Sequence, residues 1–149
     1  PAPDQRPDPP TREPHPTPSP KRALPRLPHS QCAFCGYDGR IGAVPVGLEA
    51  AHVRWWAFDG PDDVENGLCL CSLHHKLFDK GVLGLGEGRR ILVSQSFVGH
   101  STAAREHVIT LAGRPLIGPR PGVRPIAAAH RSWHTSQVFH GSPRPATTA

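Results

Sequence analysis

Two short spacings in this chain pair soft metal donors: Cys32-x-x-Cys35 and Cys71-x-x-His74. A two-residue gap lets a tight turn aim both side chains at one ion, and two such turns complete the tetrahedron that zinc prefers. A single C-x-x-C would equally suit a redox pair or two buried thiols, but neither accounts for the second spacing. Four protein ligands close the coordination sphere. The Zn²⁺ expected at Cys32, Cys35, Cys71 and His74 therefore holds the fold and does no chemistry. Cys69 lies two residues before Cys71 and points the same way from a strand. It can compete as a ligand, but the Cys71–His74 spacing makes it a small buried thiol instead.

A second set of residues interleaves with the first: His52, then Asn66, then His75. Each is ordinary alone. A histidine at a strand end is usually surface or hydrogen-bonded filler, and Asn66-Gly67 is a common turn. His75 adjoins His74, so on a helix the two side chains point about 100° apart and can serve different ions. Asp79 is four residues beyond His75 on the same helix face, with helix-end hydrogen bonding as its competing role. Glu49 is also close enough in sequence to reach this set.

Ala50-Ala51-His52-Val53, followed by Asn66-Gly67-Leu68-Cys69-Leu70-Cys71-Ser72-Leu73-His74-His75-Lys76-Leu77-Phe78-Asp79, resembles the HNH (ββα-metal) endonucleases. Within them it is most like the McrA-like modification-dependent restriction enzymes of actinobacteria. The likeness runs from about Cys32 to Gly99 and continues faintly to Trp133-His134 and Val138-Phe139-His140. Hydrolysis of a phosphodiester needs a base to deprotonate water and a cation to hold the phosphate and neutralise the leaving oxygen. The resemblance implies that His52 is the base, for which an imidazole suits neutral pH, and that Asn66 pins the loop that orients it. It makes His75 the ligand of a catalytic Mg²⁺ or Mn²⁺, with Asp79 as a candidate helper, and the product ends 5′-phosphate and 3′-hydroxyl. One position departs from the pattern: many of these enzymes carry a metal-binding Asp or His just before the first histidine, where this chain has Ala51. Arg54 and Lys76 flank the site and are candidate phosphate contacts. The rival reading is a non-catalytic zinc module that binds DNA or protein. Such a module needs only the four zinc ligands, yet His52, Asn66 and His75 are all present.

These residues need a small α+β scaffold to hold them. Residues 43–48 read as a short strand leading to His52, and 66–71 as a turn entering a second strand. Ser72 is a fair N-cap for a helix whose apolar face is Leu73, Leu77 and Phe78, with Gly81 as its stop. Residues 82–85 and 91–93 read as hairpin arms. Of Trp55 and Trp56, one ring is expected to pack on the core and the other to line the DNA face. The expectation is a zinc-stapled ββα core with a short β-extension.

Composition sets the limits of that scaffold. The chain has 149 residues, of which 19 are Pro, 15 Gly and 37% hydrophobic. Eleven of the prolines fall in the first thirty residues, so 1–30 reads as a disordered, proline-rich linker. Residues 31–99 are the nuclease domain and 100–149 an irregular, partly ordered basic extension. A core this small usually needs a staple. The net charge of +5 is concentrated in the last third, where six Lys/Arg face one acidic residue; that suits a polyanion such as DNA. No apolar run is long enough for a membrane span, and cysteines spaced for a metal suit a reducing cytoplasm. The chain begins at Pro1, which reads as processing or as part of something longer. The enzymes it resembles place a modification-recognition domain N-terminal to the HNH module, where this chain has its proline-rich arm. The chain alone is therefore expected to bind DNA weakly and with little selectivity.

Overall fold

The computed structural model describes residues 31–119 and 121–147, so the linker expected at 1–30 lies outside the described residues. After the Cys32–Cys35 turn, a minimal antiparallel ribbon joins β1 (Arg40–Ile41) to β2 (Val44–Pro45). The chain turns at Gly47, so the strand expected over 43–48 is interrupted: β2 lies within it, and the main strand, β3 (Leu48–His52), begins at its last residue. It pairs antiparallel with β4 (Gly67–Cys71), from Leu48 opposite Cys71 to His52 opposite Gly67. β4 runs without a loop into helix α1 (Ser72–Asp79), completing the ββα unit.

Two details of α1 differ from the sequence expectation. Its N-cap is Cys71, without a side-chain cap bond, and the Ser72 hydroxyl instead donates to Glu49 Oε1 at 2.9 Å. The buried stripe is His74 and Phe78, one turn apart, while Leu73 is exposed. The metal-ligand spacing explains this rotation: turning His74 inward toward the cysteines carries Phe78 inward and Leu73 out. Gly81 ends the helix as expected, at φ +74°. A side chain there would also collide with the Val138 carbonyl, 2.1 Å from an ideal Cβ.

The hairpin of β5 (Leu83–Leu85) and β6 (Ile91–Val93) packs beside α1. Leu70, Phe78, Leu83, Ile91 and Val93 are fully buried, and Phe34 closes the core edge-on to Phe78 at 5.8 Å. The extension is largely without regular structure but carries α2 (Thr102–His107) and α3 (Ala128–Gln137). It returns to the core at both ends. Ile91 donates to the Arg114 carbonyl, and Arg144 donates to the Val93 carbonyl at 2.7 Å.

His134 of α3 is fully buried, stacked on Phe78 at 3.8 Å and 3°, and its Nε2–H donates to the Phe78 carbonyl at 3.0 Å. Its Nδ1 is buried without a partner among the described residues. Burial therefore depresses its pKa to about 4, the carbonyl bond opposing only in part. The unfolded chain takes this proton first, so the stability it contributes is complete above about pH 6.5 and falls progressively toward pH 4. The expected loss reaches about 3 kcal/mol by pH 4. Urea unfolding at pH 7 and pH 4.5 measures it. The acid-induced drop should be clearly smaller in His134→Phe, which keeps the stack and cannot titrate.

Candidate active site and metal centre

Cys32, Cys35, Cys71 and His74 converge, with all four donor atoms within 4.8 Å of one another. His74 Nδ1 is 3.5 Å from Cys32 Sγ and 3.3 Å from Cys71 Sγ. A tetrahedral zinc with bonds of about 2.3 Å to sulfur and about 2.0 Å to nitrogen has ligand–ligand edges of about 3.5–3.8 Å. The cluster therefore fits the ion. The other ring nitrogen, Nε2, donates to the His107 carbonyl at 2.7 Å, which fixes the tautomer that leaves Nδ1 free to ligate. That carbonyl comes from the end of α2, a contribution with no marker in the sequence.

Burial pushes the Cys35 thiol up to about 12 and raises Cys71. Burial also resists charge on Cys32, but hydrogen bonds from a His74 ring protonated on both nitrogens and from the surrounding backbone outweigh it and bring that thiol down to about 6; a metal at Nδ1 would take the place of that second proton. As zinc ligands the three cysteines would be thiolates, and burial opposes that charge unless a divalent ion lies among them. Cys69 is not part of this cluster; burial raises its thiol, and it lines a separate apolar cavity.

The H-N-H residues lie elsewhere. His52, His75 and Asp79 line one open groove of about 430 Å³, with Trp56, Lys76 and Lys80 also on its walls. His52 ends β3 and its Nε2 is 2.7 Å from Asp62 Oδ1. Asn66 is fully buried and bonds the preceding loop three times. Its Oδ1 accepts from Arg54 N at 2.7 Å, and its Nδ2 donates to the carbonyls of Arg54 and Pro61, each at 3.0 Å. The loop is closed further by Gly60, whose N–H donates to Trp55 O at 3.0 Å. An ideal Cβ at Gly60 would fall 1.8 Å from the Arg54 carbonyl, so only glycine fits.

His75 bridges two carboxylates. Its Nδ1 is 2.5 Å from Glu49 Oε2 and its Nε2 is 3.3 Å from Asp79 Oδ2. Hydrogen bonds from His75 and Ser72 lower the Glu49 pKa, whereas burial raises that of Asp79. His74 points into the cysteine cluster and His75 into the groove, as neighbours on a helix must. Lys76 is exposed on the groove wall, but the Arg54 guanidinium is partly committed, donating through Nε to Phe58 O at 2.7 Å. Trp55 packs against Phe58 and against Trp133 of α3, the latter ring 5.8 Å away, while Trp56 is 66% exposed.

The apolar cavity behind β4, about 90 Å³ among Cys69, Leu85, Leu116 and Ile126, touches none of the H-N-H residues. The polar groove, not this cavity, holds the residues that can move protons. Sequence reasoning missed Asp62, which is one of several acidic residues in a surface loop and carries no distinguishing signal.

The family described as HNH endonuclease matches residues 32–86. A solved structure, the modification-dependent TagI restriction endonuclease, is similar at 28% identity and a TM-score of 0.54, over 72% of this chain. The chain spans 33% of that protein's length. No curated protein matches.

Proposed function

We propose, from the match of residues 32–86 to the family described as HNH endonuclease, that this chain is a metal-dependent DNA endonuclease module working within a modification-dependent restriction system. The observation that carries this reading is the shared groove. A candidate base, His52, and a candidate metal ligand, His75, face the same space, apart from the Cys3His cluster. Lys76 and Lys80 on the groove wall suit a phosphate backbone.

Cys32, Cys35, Cys71 and His74 hold structural Zn²⁺. In the groove, His75 Nε2 and Asp79 Oδ2 are the donors for a catalytic Mg²⁺ or Mn²⁺. Their 3.3 Å separation is close to the roughly 3 Å between neighbouring ligands of an octahedral ion bound at about 2.1 Å. Glu49, accepting from Nδ1–H, orients the ring from behind, as carboxylates commonly do for a ligating histidine. The bound cation would polarise the scissile phosphate and offset charge on the departing oxygen. His52 takes the proton of the attacking water, and Asn66 keeps the loop around it in place. Arg54 and Lys76 contact the DNA backbone.

Incubating the chain with supercoiled plasmid and Mg²⁺ or Mn²⁺ tests the function. Nicks are expected that DNA ligase reseals without prior end repair, because the ends are 5′-phosphate and 3′-hydroxyl. Ends that need a phosphatase or kinase first would contradict the reading.

The metal assignment makes its own prediction. Glu49→Gln should raise the Mn²⁺ concentration for half-maximal cleavage by about 10–100-fold, and His75→Ala or Asp79→Asn at least as much. Zinc content should stay at one ion per chain in all three. Manganese binding followed by electron paramagnetic resonance checks this independently of cutting.

A further inference from the structure

We propose that Asp62 is the positioning residue for His52, and that Asn66 acts on the base through Asp62 instead of touching it. The inference rests on the reading of His52 as the base. Its starting point is the 2.7 Å contact between His52 Nε2 and Asp62 Oδ1, with the two side chains 26% and 16% exposed. A carboxylate only accepts hydrogen bonds, so Nε2 carries the proton and Nδ1 presents a bare lone pair. The ring is held in one tautomer and one orientation. The Asp62 charge also stabilises the imidazolium formed when Nδ1 takes a proton.

Asp62 is fixed from both sides. Asn66 makes no hydrogen bond to His52; its third bond is to the carbonyl of Pro61, the residue immediately before Asp62. Together with its two bonds to Arg54, it closes residues 54–61 into a ring whose exit delivers Asp62 to His52. On the far side the extension takes up the neighbouring acids. Arg124 pairs with Asp63 at 3.4 Å and Glu65 at 3.1 Å, and Ala127 N–H donates to the Glu65 carbonyl at 2.9 Å. Trp133 packs on Trp55 and Phe58 of the same loop. Of the three acids within residues 62–65, only Asp62 is left facing the histidine. The relay runs from Asn66 through the Pro61 carbonyl to Asp62 and then to His52.

In the reaction, the water O–H bond breaks as the Nδ1–H bond forms, and the water oxygen bonds phosphorus while the bond from phosphorus to the leaving oxygen breaks. The leaving oxygen gains a proton from solvent and the imidazolium returns its proton to solvent. The other ring proton stays on Nε2, donated to Asp62, throughout.

The test uses the full zinc-loaded chain. Asp62→Ala should lower kcat by about 10²–10⁴-fold with KM for plasmid unchanged. Asp62→Asn, which keeps an acceptor oxygen but no charge, should fall between it and wild type. The Asn66→Ala/Asp62→Ala double variant should be no slower than the slower single variant, because both break one relay. By proton NMR, the His52 Nε2–H resonance should be slow to exchange and downfield in wild type, and lost in Asp62→Ala. That signal reads the contact without reference to activity. If His52→Ala cut normally, the base assignment would fail while the resonance still tested the contact. The proposal is overturned if the resonance survives in Asp62→Ala, if kcat is unchanged there, or if the two single losses multiply in the double variant.

Discussion

His52→Ala is expected to cut plasmid about 10²–10⁴-fold more slowly than wild type while keeping its zinc and its melting temperature. The magnitude is that of removing a positioned general base from a hydrolytic site. The separation of activity from stability follows from the surroundings of the ring. His52 is half-buried at the end of β3, outside the Cys3His cluster, and among the described residues its ring has one hydrogen-bonding partner, Asp62. Truncation therefore removes a proton acceptor and opens no cavity in the core around Phe78. Circular dichroism and metal analysis on the same preparation check that the loss is chemical.

Stripping zinc should have the opposite signature, with the fold lost first. The four ligands tie the Cys32–Cys35 turn to the junction of β4 and α1, and the His107 carbonyl links the end of α2 to the same point. A structural zinc in a small module is worth about 10–16 kcal/mol, whereas a domain's net stability is about 5–15 kcal/mol. Cys71→Ser, or exhaustive chelation, should therefore abolish cooperative melting and near-ultraviolet ellipticity. Cys69→Ser should keep the metal and melt close to wild type, because its sulfur is not in the cluster. The reverse ranking of the two variants would show that the wrong cysteine had been assigned.

What could be read from sequence depended on whether the signal was local. Ligand pairs three residues apart fix their own geometry, so the Cys3His cluster was legible. So was the opposed direction of His74 and His75, since adjacent helical residues diverge by about 100°. The β5–β6 hairpin announced itself by two apolar runs around a turn. The apolar face of α1 was misplaced because Leu73, Leu77 and Phe78 form a plausible stripe, and only the inward pull of His74 on the cysteines decides otherwise. The role of Asp62 was illegible for a related reason. Asp59, Asp62, Asp63 and Glu65 are equivalent by composition, and the one that meets His52 is selected by the loop path that Asn66 and Gly60 impose. α3 was hidden as well. Its ten residues are mostly polar, and it is held by adjacent anchors with separate partners, Trp133 on the loop and His134 on Phe78.

On this reading one groove hydrolyses DNA with His52 as base and a divalent ion at His75. Single-turnover nicking of supercoiled plasmid, followed across Mn²⁺ concentration for wild type, His52→Ala and His75→Ala with zinc content held equal, tests it most directly. The wild-type rate should rise from near zero to saturation with added Mn²⁺. The His75→Ala curve should be displaced to higher Mn²⁺, and the His52→Ala rate should stay near zero at every concentration. Cutting by His52→Ala at the wild-type rate, or a wild-type rate indifferent to added metal, would contradict it.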